Sequence, residues 1–401
     1  MAETAEAQAL VYNPYSYEIH EDPYPVYERL RAEAPVYRNE EVGIWALSRH
    51  ADVLAGFRDT VRMSNWLGVS IEPSASVPEA ARTTSFLGMD PPRHDQIRAL
   101  VSRALTPRRV SALEARMREL TVSCLESFEG EGRCDFIADF AGILPMAVIS
   151  ELMGVPEADR DWLRERADTV LHREPDMLDV PPAGAQASFD IFEYFARFIE
   201  ERRKQPADDL TGALMEAEIE GKRLCDEEVT GFLFLMIIAG NETTTKMLGN
   251  ALYWLWRNPN QRDLVAADPS LISRWVEETL RYDNSTQALK RTLTTDLDLH
   301  GVRMHDGDKV MLLIGSANRD EEIFPQADRF DIMRDTTSML SFGHGTHFCL
   351  GASLARLEGR VVLEEMWPRM PDFEVLPDGI ERVHSVNVRG FARLPVEFRT
   401  R

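Results

Sequence analysis

The sequence predicts a mainly α-helical fold with minor β-sheets (α+β), organised as a single domain over residues 1–401. Three observations predict it. Helix-period segments with recognisable ends recur along most of the chain, and one of them, Asp226–Arg257, is long enough to cross a domain. Strand candidates are few and short: Val36–Tyr37, Ile44–Leu47, Val302–Met304 and Val310–Leu313. No repeat, low-complexity segment or linker divides the chain.

Composition sets outer limits. Hydrophobic residues make up 44% and charged residues 28%, ordinary globular proportions with ample material for a core. The net charge of −22 argues against nucleic-acid binding. The four cysteines (Cys124, Cys134, Cys225, Cys349) form no C-x-x-C pair and are too sparse for a disulfide framework, which fits a cytoplasmic location. The acidic stretch Met1–Leu10 is unlike a signal peptide. No apolar run approaches about 18 residues, so no membrane span is expected.

In chain order, residues 1–20 read as a loose arm. Asp22-Pro-Tyr-Pro25 opens a helix that stops at about Ala34, before Pro35. A turn at Glu40–Gly43 makes a hairpin of the first two strands, and a short helix covers Ser48–Phe57. Residues 60–88 are rich in Ser, Pro and Gly yet carry Trp66, Leu67, Val69, Ile71, Phe86 and Leu87, which suits a lid or pocket wall. Asp90 then starts a helix on which His94 and Arg98 share a face. Helices follow over Leu113–Phe128, Asp139–Leu152 and Glu157–Leu171. Residues 173–185 hold three prolines and read as a loop. Gln186–Arg203 is helical, with an aromatic stripe better suited to core packing than to a channel wall.

Asp226–Arg257 would span about 48 Å at 1.5 Å per residue. Acidic residues open it, Asn258-Pro259 closes it, and Phe232–Ala239 is apolar on most faces, which implies burial. Halfway along it turns polar, at Ala239-Gly-Asn-Glu-Thr-Thr-Thr245. Those groups need partners if buried, and Gly240 weakens the helix there by up to ~1 kcal/mol. A local rule broken in mid-element marks a functional site. Further helices cover Asn260–Ala267, Ser270–Arg281 and Leu354–Arg369. Coil fills 318–334, and the tail alternates weakly in strand fashion.

Phe342-Gly-His-Gly-Thr-His-Phe-Cys-Leu-Gly351 is the most informative stretch. A lone cysteine is usually a small buried hydrophobe. Cys349, however, follows a Gly343-x-Gly345 turn and precedes a helix whose N-terminus favours the thiolate. Gly345 and Gly351 leave room for a flat ligand. A phosphate-cradling loop or a Cys–His hydrolase pair with His347 remains open at this level, although the G-x-G-x-x-G spacing fails at Phe348.

Phe-x-x-Gly-x-x-x-Cys-x-Gly, filled by Phe342, Gly345, Cys349 and Gly351, resembles the haem-binding signature of the cytochrome P450 family. Glu278-x-x-Arg281, Ala239-Gly-x-Glu-Thr243 and His94-x-x-x-Arg98 stand in that family's order, so the likeness covers essentially the whole chain and is closest to the soluble bacterial branch. It implies the cytochrome P450 fold, haem b (iron protoporphyrin IX) as cofactor, and Cys349 as the iron ligand, with Phe342, Gly343, Gly351, Ala239 and Gly240 around the cofactor. It implies His94, Arg98, Arg291 and His347 as partners of the haem propionates. Glu278 and Arg281, joined by Arg329, would brace the cysteine loop. Glu242 and Thr243 would be the acid–alcohol pair that supplies protons to oxygen, with Thr244 and Thr245 facing elsewhere. Glu242 stands where many members have Asp, and Ser285 where many have Pro.

The resemblance further implies a monooxygenase that inserts one atom of O2 into a hydrophobic organic substrate by hydroxylation or epoxidation. Electrons would come from NAD(P)H through a ferredoxin reductase and a ferredoxin-type donor. That donor would dock on the face beneath the cysteine, over Arg103, Arg108, Arg109, Arg356 and Arg360. Trp66, Phe86, Leu87, Leu235, Ile238, Ala288, Leu289 and Val388 are the candidate substrate contacts. Two other functions share the iron ligand, a peroxide-driven or reductive enzyme and a haem-binding sensor or carrier. The Glu242–Thr243 pair argues against both.

Overall fold

The computed structural model describes residues 9–77, 80, 84–102, 105–175 and 177–399. Its axis is the helix Asp226–Arg257, 32 residues without a break, called the central helix below. Glu228 reaches back to the Cys225 backbone N–H at 3.0 Å and closes the N-terminal turn reciprocally with Cys225. The helix is buried on most faces because other helices cover it all round. Helices Ile143–Met153, Arg160–Leu171 and Pro182–Lys204 pack on its first half, and Ile272–Tyr282 and Ala352–Arg369 on its second.

Two apolar clusters divide along this axis. Phe195, Phe232, Leu233 and Leu163 belong to one; Leu252, Leu255, Trp275 and Val362 belong to the other. Trp275 is fully buried and donates its indole N–H to the Ala251 carbonyl at 3.0 Å, which satisfies the polar atom that burial would otherwise strand.

A five-stranded sheet stands beside the helices in the order Val36–Asn39, Ile44–Leu47, Lys309–Leu313, Ala288–Leu293, Met63–Ser64. Ile44–Leu47 and Lys309–Leu313 run parallel and the other pairs antiparallel. The strand Ala288–Leu293 is absent from the sequence reading. Its Lys290 and Arg291 break the apolar pattern, yet both are buried, Lys290 with its ammonium on the Leu67 carbonyl.

Other boundaries differ for local reasons. The arm is anchored from Tyr12, buried at 1% exposure, and Asn39 donates to its carbonyl at 2.8 Å; residues 1–8 lie outside the described residues. Asp90 is no helix cap: its carboxylate accepts the Asn65 N–H and the Ser64 hydroxyl, and the helix starts at Arg93. Phe136–Ala141 winds as a wider π-helical turn ahead of Ile143–Met153. The loop after Leu171 is shorter than expected because Pro182 sits in the first turn of its helix, where a missing N–H costs nothing. The stretch Phe136–Met153 is apolar and long enough to cross a membrane, but 67% of it is buried against protein.

Candidate active site

An apolar cavity of about 250 Å³ lies between the central helix and the cysteine loop. Leu235, Met236, Ala239, Gly240, Thr243 and Thr244 form one wall, and Phe342, Gly343, Cys349 and Gly351 the opposite one. The loop is held by the Cys349 N–H on the Phe342 carbonyl at 2.8 Å. Gly345 does not line the cavity. Its φ is +70°, and a Cβ there would sit 3.1 Å from the Phe57 carbonyl oxygen, so its role is in the turn rather than beside a flat ligand. Gly351 does line the cavity, 3.9 Å in ideal Cβ position from the Cys349 sulfur. Burial pushes the Cys349 thiol up; the Gly351 N–H and the cations of Arg98 and Arg356 pull it back.

Four nitrogen-bearing side chains gather at one edge. Arg98, Arg291 and His347 line the cavity, and the His94 ring stands 4.1 Å from the His347 ring. Arg98 donates to the Phe348 carbonyl and Arg291 to the Lys290 carbonyl at 2.9 Å, and neither has a carboxylate partner among the described residues. His94 Nε2 and His347 Nδ1 are buried with no partner. Burial lowers Arg291 to about 10, against the pull of Asp90, and burial with repulsion from His94, Arg291 and Arg98 lowers His347 to about 2. Uncompensated donors and positive charge at the rim of an apolar slot, facing a sulfur, fit an apolar ring system carrying carboxylates, as haem does.

The brace beneath the loop is fully buried. Glu278 and Arg281 pair at 2.7 Å with both side chains at 0% exposure. Arg281 donates to the carbonyls of Asn318 (2.9 Å), Ala327 (3.0 Å) and Arg329 (3.1 Å). The Asn318 side chain then holds Leu340 N at 2.7 Å and Ser341 Oγ at 2.9 Å, immediately before Phe342. One expectation is corrected here. The Arg329 guanidinium turns away to Gln326, and only its carbonyl joins the brace. The second cation on Glu278 is Arg334, at 3.5 Å.

The acid and the alcohol of the central helix face different spaces. Thr243 lines the apolar cavity, with its hydroxyl on the Ala239 carbonyl at 2.7 Å. Glu242 lines a second cavity of about 580 Å³ with Thr245 and Lys246. It is 3% exposed and pairs with Lys246 at 3.0 Å. Burial raises the Glu242 carboxyl, but the nearby cations and a hydrogen bond with Asp168 win and hold it low. Gly240 lets the helix close on Ile149, whose Cγ1 would meet a Cβ at 3.3 Å.

Sequence reasoning missed three neighbours of this pair. Thr244 is not a bystander: it lines the cavity beside Glu358, whose carboxyl burial raises to about 8 against the pull of the Thr244 hydroxyl. Ser285 donates its hydroxyl to the Thr243 carbonyl at 2.6 Å. Asp168 meets Glu242 from the helix Arg160–Leu171. The only advance signal was Ser285, a hydroxyl where a proline is common.

Of the candidate substrate contacts, Phe86, Leu87, Leu235 and Leu289 line the cavity. Ala288 faces the opposite side of its strand, as alternation requires. Ile238 packs into the neighbouring core, Val388 lines the second cavity, and Trp66 is 55% exposed away from the slot. Asn284, Ser285 and Thr286 add a polar strip that was not anticipated.

Beneath the loop, Arg108 and Arg109 are exposed, whereas Arg356 is committed to Glu277 and Arg360 to Glu114 and Glu364. Arg103 lies outside the described residues.

Comparison with known proteins points the same way. The family model described as Cytochrome P450 matches residues 182–268 and 270–398. "Putative cytochrome P450 123" of Mycobacterium tuberculosis is 52% identical over 393 residues, 98% of each chain. The "Vitamin D(3) 25-hydroxylase" of Pseudonocardia autotrophica is 38% identical over 383 residues, 94% of each. Among solved structures, CYP109E1 from Bacillus megaterium in complex with testosterone superposes with a TM-score of 0.89 at 32% identity, covering 95% of this chain and 99% of the other.

Proposed function

The chain belongs to the cytochrome P450 family, and from that premise we propose which of its residues carry the reaction and what the reaction acts on. It is a haem-dependent monooxygenase that uses O2 and acts on a small molecule. Haem bound here supplies the reductive activation of O2 and the transfer of one oxygen atom to substrate, by hydroxylation or epoxidation. The observation that carries the assignment is the slot itself, with Cys349 on one wall, Thr243 on the other and a cationic edge between them.

Cys349 Sγ holds the iron, and the Gly351 N–H beside it tempers the thiolate. Arg98, Arg291, His94 and His347 hold the propionates. Phe86, Leu87, Leu235 and Leu289 exclude water and select an apolar substrate. Terpenoid, steroid, fatty-acid and polyketide-like molecules all suit such a wall, and the hydroxylase and testosterone-bound relatives support the steroid end of that range. Thr243 Oγ1 holds a proton next to the reacting oxygen, and Glu242 replaces it. Because Glu242 sits behind the helix, delivery requires its side chain to leave Lys246 and turn. Protonation of Glu242 removes the attraction that keeps it there.

Electrons come from NAD(P)H through a ferredoxin reductase and a ferredoxin docked near Arg108 and Arg109, in the cytoplasm, and residues 1–401 act as one catalytic domain. The first test is the carbon monoxide difference spectrum. The reduced protein should show the red-shifted Soret band of thiolate-ligated iron, and Cys349→His should lose it while retaining haem. A Cys349→His protein that keeps that band would refute the ligand.

A further inference from the structure

The cavity behind the central helix holds groups that the reaction above does not use. We infer that Asp168 hands the proton to Glu242, so that proton supply depends on the helix Arg160–Leu171 being seated on the central helix. The inference rests on the Glu242–Thr243 assignment under Proposed function.

Asp168 and Glu242 come from two helices that pack together and line the same cavity with Lys246 and Arg164, which brings their carboxyls within hydrogen-bonding reach of each other. A hydrogen bond between two carboxyls needs one proton, so one of the pair is neutral. The neighbours decide which. On the central helix, Lys246 pairs with Glu242 and draws the charge there. On the Asp168 helix, Arg164 acts on both carboxyls, and His172 stands just beyond the last turn. The tail brings Glu381, Arg382 and His384 to the same space, and Glu21 closes its rim. Arg382 is already occupied, over the Phe391 ring at 3.9 Å and 3.8 Å from Asp283. Glu242 is therefore the ionised partner. Crowding by protein atoms, then the bond to Glu242, raises Asp168 to about 8, so it carries the proton at neutral pH.

Access separates the two carboxyls in the same sense. Glu242 is buried, whereas Asp168 is exposed on the cavity wall despite the crowding around its carboxyl. The cavity reaches solvent past His172 and Glu381, whose side chains are 49% and 63% exposed. In the transfer, the O–H bond of Asp168 breaks and one forms on a Glu242 carboxylate oxygen. The charge moves to Asp168, which recovers a proton from cavity water, and no electrons change hands. Neutral Glu242 then has no ion pair with Lys246 and is free to turn toward Thr243.

The test uses the haem-loaded protein with electrons from NADH through a ferredoxin and its reductase, reading O2 consumption without added substrate. Asp168→Asn keeps the shape but cannot supply the proton. It should slow O2 consumption by roughly a hundredfold or more, the range for loss of one general acid. In the unsubstituted protein the rate should fall as pH rises through about 8, the point at which Asp168 loses its proton. Asp168→Asn should abolish that limb and Asp168→Glu should restore it, which a purely structural contact would not do. Glu242→Gln separates the two ideas. If it leaves the rate unchanged, the relay itself fails; if it is slow while Asp168→Asn is normal in rate and pH profile, only this inference fails. A slow Glu358→Gln beside a normal Asp168→Asn would place the proton source on the cysteine side and overturn it as well. Should Asp168→Asn lose its haem, the infrared carbonyl band of a protonated aspartic acid in the unsubstituted protein, told apart from Glu358 by its shift on 13C-labelling of aspartate, present at neutral pH and lost above about pH 8, decides the matter; its absence at neutral pH overturns the inference.

Discussion

Thr243 shows how little a single side chain can do alone. Its hydroxyl already has a partner in Ala239 O, and its own carbonyl is held by Ser285. It can lend a proton only if something replaces it. Thr243→Ala should therefore leave haem content and substrate binding intact but divert electrons to peroxide, measured as hydrogen peroxide formed per NADH consumed. Unchanged coupling would remove Thr243 from the relay. Residues of this kind were legible because they sit in short motifs, as Cys349, Glu242 and Thr243 do. The groups beside them were not. Asp168, Ser285 and Glu358 lie dozens of residues away from the groups they touch, and nothing in a linear pattern pairs a hydroxyl with a carbonyl 42 positions earlier.

At the scale of elements, the central helix was read from the sequence to its observed ends because its signals are local: acids at the start, Asn-Pro at the stop, and an apolar stretch between. The strand Ala288–Leu293 was missed because its cations are buried for reasons that lie in other segments. The brace was half legible. Its i, i+3 pair is written in the chain, but the choice of Arg334 over Arg329 depends on how a coil folds back. Glu278→Ala would strand the Arg281 guanidinium in a dry interior, a loss of about 3–5 kcal/mol. It should cost haem incorporation, read as holoprotein yield. Arg329→Ala should be close to neutral in the same assay, because its carbonyl, which remains, makes the contact. A normal yield from Glu278→Ala, or an Arg329→Ala loss as large as that of Glu278→Ala, would refute this division of labour.

For the whole molecule, the charge balance sets how a partner arrives. The protein is strongly acidic, so the ferredoxin proposed above, if acidic, would meet general repulsion and need a local positive landing place. Two of the arginines expected there are spent on intramolecular pairs, which among the described residues leaves Arg108 and Arg109 as the exposed cations without a carboxylate partner. Reversing both to Glu should slow reduction of the iron and flatten its salt dependence, while Arg360→Gln should do neither. Stopped-flow reduction at two ionic strengths distinguishes these outcomes, since exposed charges are screened over about 8 Å at physiological salt.

The two faces of the central helix carry a consequence for how such an enzyme can change. Successive residues project about 100° apart on a helix of 3.6 residues per turn. Here that offset sends positions 235, 236, 239, 240 and 243 to the slot beside Cys349, and 242, 245 and 246 to the second cavity. Diversity introduced at Leu235, Met236 and Leu289 can therefore repaint what the slot accepts without redrawing the acid supply proposed behind it. Appetite for new molecules and oxygen chemistry are thereby separable by mutation, and a lineage could wander widely in diet while inheriting its chemistry unchanged.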